Sequence, residues 1–355
     1  MFVSLELRKT FKNVTILRWR FWNKWLEDNV LNIKKYIKED ITKDEALELF
    51  KLKGSKLMEL FSVANEIRGI YCGNDLDRCT ITNAKSGLCS ENCKFCAQSS
   101  FYDTGIETYP LKDTRKLHEE YIGADKAGSS KFGIVTSGRA IKKGTKDFED
   151  IKKFIEEANN KKEKVDLCVS IGLLNKEELL ELQSIGLKRI HSNLQTSVNA
   201  YKKLVADTHE IHDRIETIKL AKEIGLDVCS GGIIGLGETW EDRIDMAFTL
   251  KDLNVDSIPI NILTPIKGTP LGDMKLLDID EILKTIAIYR IINKNKNIRI
   301  AAGRETRLKD FMGMAFMAGA NGMLVGGYLT TKGRSLEDDV KFADDITKLW
   351  EQCID

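Results

Sequence analysis

Cys89-Ser-Glu-Asn-Cys93-Lys-Phe-Cys96 sets three thiols on one short loop at C-x3-C-x2-C spacing, directly after the β-prone run 79–86 and a turn at Gly87. Thiolates suit iron–sulfur clusters or zinc. A structural zinc site asks for a fourth Cys or His nearby, and the next cysteine after Cys96 is Cys168. Three thiols this close can instead hold three irons of a cubic cluster and leave the fourth open to a small molecule. What matters next is the scaffold that surrounds such a loop.

Outward from the loop, one unit repeats: a short β-branched run, a turn, an amphipathic helix, then the next run. The pattern predicts strands at 79–85, 131–137, 165–171, 188–194, 226–232, 256–263, 298–303 and 322–326, and helices starting near Asp113, Thr145, Lys176, Thr208, Glu238, Asp278, Arg304 and Ser335. Eight alternations over roughly 250 residues are what a closed (β/α)8 TIM-type barrel needs. An open doubly wound sheet uses fewer strands, and no G-x-G-x-x-G opens a helix after the first strand. Upstream, Thr42 and Glu45 form a candidate capping box ahead of a helical pair. The expected organisation is therefore an N-terminal helical extension (1–43), one barrel domain (44–350) and a short tail (351–355). Within the extension, 1–27 alternates Arg and Lys with Phe and Trp, a composition that suits a membrane surface or RNA. It reads here as an appended segment outside the chemistry.

Alternate strand residues face a barrel's interior. The helix-covered side should take the apolar set, so Asp166, Cys168 and Ser170 point inward, as do Asp227, Cys229 and Gly231. Arg189, His191, Asn193 and Gln195 share one face of the fourth strand; Ser257, Pro259 and Asn261, and Arg299, Ala301 and Gly303, share faces of the sixth and seventh. Ordinary barrel interiors are filled with branched apolar side chains. Thiols and amides buried there without partners cost about 1–3 kcal/mol each, and the charged arginine costs more, so something polar should occupy the lumen. A second metal cluster near Cys168, Cys229 and Arg299 is the expectation. Cys79 starts the first strand and Cys72 lies in its approach, both within reach of the bottom of that lumen. Cys353 has no such context.

The charge balance, 55 basic against 54 acidic residues, carries no electrostatic footprint for nucleic acid. Eight cysteines are too few for a disulfide scaffold in a chain of 355 residues and point to metal in a reducing cytoplasm. No apolar run approaches bilayer length, and nothing at the start resembles a cleaved signal. Of the four histidines, His209 and His212 read as a solvated helix face.

Four stretches resemble the biotin synthase family: Cys89-Ser-Glu-Asn-Cys-Lys-Phe-Cys-Ala-Gln-Ser-Ser100, Cys229-Ser-Gly-Gly-Ile-Ile-Gly-Leu-Gly-Glu-Thr239, Ile258-Pro-Ile-Asn261 and Ala302-Gly-Arg-Glu305. With Phe95 before its last cysteine, the first also matches the C-x3-C-x-Φ-C signature of radical S-adenosylmethionine (SAM) enzymes. The resemblance runs from about 44 to 350. It implies a homodimeric radical SAM barrel that inserts sulfur into dethiobiotin. A 4Fe–4S cluster on Cys89, Cys93 and Cys96 would bind SAM, and an electron from flavodoxin or ferredoxin would split it. The 5′-deoxyadenosyl radical would then take hydrogen from C9 and C6, and an auxiliary iron–sulfur cluster in the lumen would supply the sulfur. By position, Phe95 and the turn Gly235, Gly237, Glu238 should meet adenine, and Ser137 the methionine part. Asn193 should bind the ribose with Gln195 beside it, Asn193 and Asn261 the ureido ring, and Thr330 and Thr331 the carboxylate tail.

Two positions depart from the family. Its better-known members hold a 2Fe–2S cluster on three cysteines and an arginine, and Cys168, Cys229 and Arg299 fall on three of those positions. The fourth, on the second strand, is Gly133, which cannot ligate. Where an acidic residue is expected two after Asn193, Gln195 stands. The reading is a rebuilt auxiliary site, in which Cys79 and Cys72 replace the missing thiolate and a four-iron cluster is favoured over 2Fe–2S. Two rivals remain. A radical SAM enzyme of the hydrogenase-maturation or methylornithine synthase type has no use for a lumen cluster. A non-catalytic zinc or nucleic-acid module conflicts with the neutral charge.

Overall fold

Side chains that satisfy the orphan N–H groups of a first helical turn set where the helices begin. The computed structural model describes residues 32–161, 163–330 and 333–351. The chain up to Glu39 clusters as a unit of its own, whose described part holds a 3-10 turn at Ile33–Ile37. From Asp40 onward, α1 (Lys43–Phe50) opens with Thr42 Oγ1 accepting from Glu45 N–H while Glu45 accepts from Thr42 N–H at 2.9 Å. Then come α2 (Gly54–Cys72), β1 (Asp77–Lys85), α3 (Thr114–Lys126), β2 (Lys131–Thr136), α4 (Lys146–Asn159), β3 (Asp166–Ser170), α5 (Lys176–Ser184) and β4 (Arg189–His191). The second half runs α6 (Tyr201–Leu204), α7 (Ile211–Glu223), β5 (Asp227–Cys229), β6 (Gly232–Ile234), α8 (Trp240–Asp252), β7 (Ser257–Ile262), α9 (Ile279–Ile292), β8 (Asn297–Ile300), α10 (Arg304–Leu308), α11 (Met312–Met317), β9 (Gly322–Leu324) and α12 (Leu336–Glu351). Asp113 and Thr145 cap α3 and α4, and full capping boxes open α5 and α8.

All strand pairs are parallel, in the order β5-β4-β3-β2-β1-β9-β8-β7-β6, and a β5–β7 pairing at Cys229–Ser257 closes the ring. β5 and β6 are two halves of one stave, so the nine strands build the expected eight-stave (β/α)8 barrel. The side-chain alternation is as the pattern requires. On β2, Phe132 and Ile134 are wholly buried on the outer side, where Phe132 meets Tyr121 at a 5.7 Å ring separation and Phe154 at 6.4 Å. Gly133 and Val135 face the lumen.

The fifth stave, predicted as one strand over 226–232, breaks at Ser230 and Gly231. A Cβ on Gly231 would sit 2.0 Å from the Pro259 carbonyl oxygen, so only glycine passes there. The ladder bonds lost at the break are remade by the neighbouring stave: Gly231 N–H donates to Asn193 Oδ1 at 2.9 Å and its carbonyl accepts from Gln195 N–H at 3.1 Å. This is also why β4 has three residues and not the seven expected. The helix expected from Thr208 starts at Ile211, because the Thr208 hydroxyl is committed to Glu91 at 2.6 Å.

The last helix is tied to the barrel by a buried ion pair. Arg304 Nη2 meets Asp339 Oδ2 at 2.6 Å with both side chains fully buried, and the same oxygen accepts from Gly326 N–H at 2.9 Å. Removing one member of such a pair strands the other. Asp339→Ala should destabilise the fold by about 3–5 kcal/mol, read from urea denaturation; a loss under about 1 kcal/mol would show that the pair behaves as an exposed one.

Candidate active site

The barrel encloses a cavity of about 350 Å³ that runs from the cysteine loop at one mouth to thiols and cations at its depth. At the inner end, Arg299 on β8 and Asp77 on β1 form an ion pair across β9, with side chains 4% and 12% exposed. They meet because the residue between them is Gly322, in register with both, whose missing side chain leaves the path open. Burial alone would raise the Asp77 carboxyl, yet Arg299 and Lys131 hold it well below the usual carboxylate range. Arg299 Nη1 lies 3.7 Å from Cys229 Sγ. Cys79, Cys168 and Cys229 all line this end of the cavity, together with Arg189, His191 and Lys131. Burial drives the Cys168 thiol upward, with Cys229 adding to it. For Cys229, burial is outweighed by His191, then Arg299 and Arg189, and its pKa falls to about 6.

Those groups do not satisfy one another. Arg189 Nε and Nη1 and Arg299 Nε are buried with no hydrogen-bond partner among the described residues. Buried cations beside thiols suit an anionic group held by those thiols, and an iron–sulfur cluster has that character. The register fits as well. Cys168 pairs level with Gly133, Gly133 with Ile81, and Cys79 lies one inward step below Ile81 on the same strand. The thiol that Gly133 lacks is thus present on the adjacent stave, one step deeper.

At the mouth, the loop is pinned from behind. Cys89 N–H donates to the Gln98 carbonyl at 2.9 Å, Ser100 N–H to the Cys89 carbonyl at 2.8 Å, and Lys94 N–H to the Val205 carbonyl at 2.8 Å. Glu91, between the first two cysteines, is buried; its Oε2 lies 2.7 Å from His209 Nδ1, and His209 Nε2 lies 2.8 Å from the Tyr201 hydroxyl. Arg214 Nε then donates to that hydroxyl at 2.9 Å, and Arg214 itself lines the cavity. Burial, then Cys96, pushes the Cys93 thiol up to about 12. Arg214 acts against that rise at Cys93 and at Cys96 without cancelling it. Among the described residues, no three His, Cys, Asp or Glu side chains converge as one ion's coordination shell requires.

Between the two ends, Asn193, Gln195, Asn261, Phe95 and Thr330 line the cavity. Asn261 Nδ2 donates to the Gly232 carbonyl at 3.1 Å and its Oδ1 accepts from Ala302 N–H at 3.2 Å, which fixes the amide's orientation. Gln195 sits at φ 74°, a strained conformation for a residue with a side chain, and its buried Oε1 has no partner among the described residues.

Several expectations are corrected. Cys72 does not reach the lumen: it ends α2, and its thiol lies 3.1 Å from Arg290 Nη1 and 3.6 and 3.7 Å from the Lys294 and Lys296 carbonyls, outside the barrel staves. The α2 axis carries it past the bottom rim. His209 is buried rather than solvated, because Glu91 and Tyr201 satisfy both ring nitrogens; His212 is exposed as expected. Gly235, Gly237 and Glu238 shape a turn beside the cavity without lining it: Glu238 Oε1 accepts from Gly235 N–H at 2.8 Å and Arg243 Nε at 2.7 Å. Ser137 likewise stands behind the wall, its buried hydroxyl unpartnered. Asp166 and Asp227, expected inside, are exposed at the strand starts. Thr331, Cys353 and residues 1–27 lie outside the described residues. The sequence reading missed Asp77, Lys131 and Arg214; each sits at a strand start or on a helix, where alternation carries no signal.

Residues 85–250 match the family model "Radical SAM superfamily", and 259–346 match "Biotin and Thiamin Synthesis associated domain". The chain is 47% identical over 321 residues to a biotin synthase from Clostridium perfringens, covering 90% of this chain and 98% of the relative. It is 50% identical over 279 residues to one from Thermotoga neapolitana, covering 77% and 97%. A solved methylornithine synthase superposes with TM-score 0.75 at 18% identity, covering 89% and 96%, a likeness of fold alone.

The Glu91–His209–Tyr201 chain generates a test. Groups that orient metal ligands are worth about 10–100-fold in affinity. His209→Phe, which keeps the ring's bulk and removes both bonds, should lower iron retention at the mouth loop by about that factor against a ferrous chelator. Retention equal to the parent protein would mean that the loop holds its shape without them.

Proposed function

The chain belongs to the biotin synthase family, and we propose from that premise that the lumen converts dethiobiotin to biotin by radical SAM sulfur insertion. The observation that carries the reading is the pairing of a three-thiol loop at the mouth with three thiols and Arg299 at the depth of one closed cavity. Cys89, Cys93 and Cys96 would hold a 4Fe–4S cluster with SAM; Cys79, Cys168 and Cys229, beside Arg299, would hold the auxiliary cluster. When bound, the outer cluster supplies the electron that splits SAM and the inner one supplies the sulfur.

The protein's own part is to bind, orient and exclude. Asn261, fixed by Gly232 and Ala302, offers its remaining hydrogen-bonding capacity to the ureido ring of dethiobiotin, and Asn193 faces both that ring and the ribose. Gln195 presents an unpaired carbonyl oxygen that suits a ribose hydroxyl without adding a charge beside SAM. Thr330 takes the carboxylate end, with Thr331 assigned the same part from the resemblance. The apolar wall of Ile81, Val135, Ile233 and Leu324 keeps water from a species that attacks C–H bonds unselectively. Phe95 presents its ring to adenine, the Gly235–Glu238 turn supports that edge, and Ser137 stands behind the methionine end.

Cys79 replaces the thiolate that Gly133 cannot supply. Cys79, Cys168 and Cys229 would then hold the auxiliary cluster, for which four irons are favoured over 2Fe–2S, and the cluster would supply the sulfur. The homodimer, the flavodoxin or ferredoxin donor and the cytoplasmic setting rest on the family resemblance; among the described residues no helix is long and apolar enough to cross a membrane. The rearrangement chemistry of a methylornithine synthase has no use for three inward thiols.

Anaerobically reconstituted protein, incubated with SAM, reductant and dethiobiotin, should yield biotin and 5′-deoxyadenosine. It should carry about eight irons per chain, and Cys79→Ala about four. Unchanged iron in Cys79→Ala, or 5′-deoxyadenosine without biotin from the parent protein, would overturn the assignment.

A further inference from the structure

Three cationic side chains reach the inner end of the lumen, and they are not equivalent. Arg299 has a counter-ion in Asp77, and Lys131 shares that carboxylate at 3.6 Å. Among the described residues, Arg189 has no buried counter-ion. Its side chain is 5% exposed, its Nε and Nη1 are unpaired, and its contact from Nη2 to Asp227 Oδ2 is long at 3.5 Å. Asp227 is 54% exposed at the barrel's rim, where water screens it. Leaving a guanidinium in this state is costly unless something anionic meets it.

The backbone shows where that anion would lie. Arg189 is level with Cys168 on β3, and two residues further along β4 His191 is level with Cys229 on β5. Arg189 shares the cavity with all three inner thiols and feels each of them electrostatically. A guanidinium presents several N–H donors in a fixed fork and stays charged at any working pH.

We propose that Arg189 is a second cationic contact of the inner iron–sulfur cluster, donating its free Nε–H and Nη1–H to the cluster's sulfur and offsetting its net negative charge. The inference rests on the reading that Cys79, Cys168 and Cys229 hold that cluster. Asp77 offsets one of the two positive charges on Arg299 and Lys131, and among the described residues no buried carboxylate answers Arg189. One-electron reduction of the cluster adds one negative charge and breaks no bond to the protein. A nearby unmatched cation therefore stabilises the reduced form and raises its midpoint potential. Arg189 is a positioning and charge-setting residue in this account; it transfers no atom.

The test compares Arg189→Gln and Arg189→Lys with the parent protein, each reconstituted anaerobically. Potentiometric titration followed by electron paramagnetic resonance should place the inner cluster of Arg189→Gln at a lower midpoint potential, with Arg189→Lys between it and the parent and the outer cluster unmoved. Arg189→Gln should also lose inner iron and sulfide faster to a chelator. In the cluster-free protein the sign reverses: without an anion to meet, losing the unpaired cation should leave the thermal midpoint the same or higher. A purely structural role predicts the opposite, a cluster-free variant that is less stable, and that result would overturn the inference. So would an intact inner cluster in Arg189→Gln with the parent's potential and retention. If Arg189→Gln does not fold, the Arg189→Lys comparison decides the same points. Full inner iron in Cys79→Ala, measured alongside, would instead refute the ligand reading, and a parent protein without inner iron would refute both.

Discussion

Arg299 and Asp77 meet through a gap left by a glycine, and the inner half of the barrel is organised around that contact. A TIM-type barrel usually stops its lower end with branched apolar side chains. Here β8 and β1 send opposite charges across β9, and Gly322, level with both, leaves the path open. The pair holds one guanidinium fixed beside Cys229. It also makes the lumen floor polar, so the groups above it are left seeking partners that the protein does not supply.

This polarity has a mechanical origin in the staves. Apolar residues on the outer faces, Phe132 and Ile134 among them, anchor each strand against its helices and so force the alternate residues inward. Once Leu167 and Val169 are buried outside, Cys168 has no choice but to face the lumen. The broken fifth stave adds a second device. At Gly231 the chain approaches Pro259 too closely for any side chain, and the bonds that leave the ladder are taken by Asn193 and Gln195. The residues that face the middle of the cavity are therefore the same ones that repair the break.

The mouth is built differently, because a loop has no ladder to hold it. Its rigidity comes from side chains behind it: Glu91 within the cysteine run, His209 and Tyr201 beyond it, and Arg214 reaching round to the cavity wall. These link a segment near residue 91 to one near 209, so the cysteine loop is tied to the start of α7. An ion pair thus sets the floor of the cavity, and this chain of side chains backs the cysteine loop at its mouth.

Much of this was legible before any coordinates. Alternation of β-branched runs with amphipathic helices, and caps such as Thr42 with Glu45, are local, so the eight-stave barrel and most of its helix starts follow from the sequence, as do the C-x3-C-x2-C loop and the inward positions of Cys168, Cys229, Asn261 and Arg299. Local pattern goes no further than the element that carries it. Nothing along the chain says that α2 carries Cys72 past the rim while Cys79 turns inward, that His209 closes on Glu91, or that Asp77 answers Arg299 while Arg189 goes unanswered. Those outcomes depend on which staves become neighbours and in what register, and only the closing of the barrel decides that.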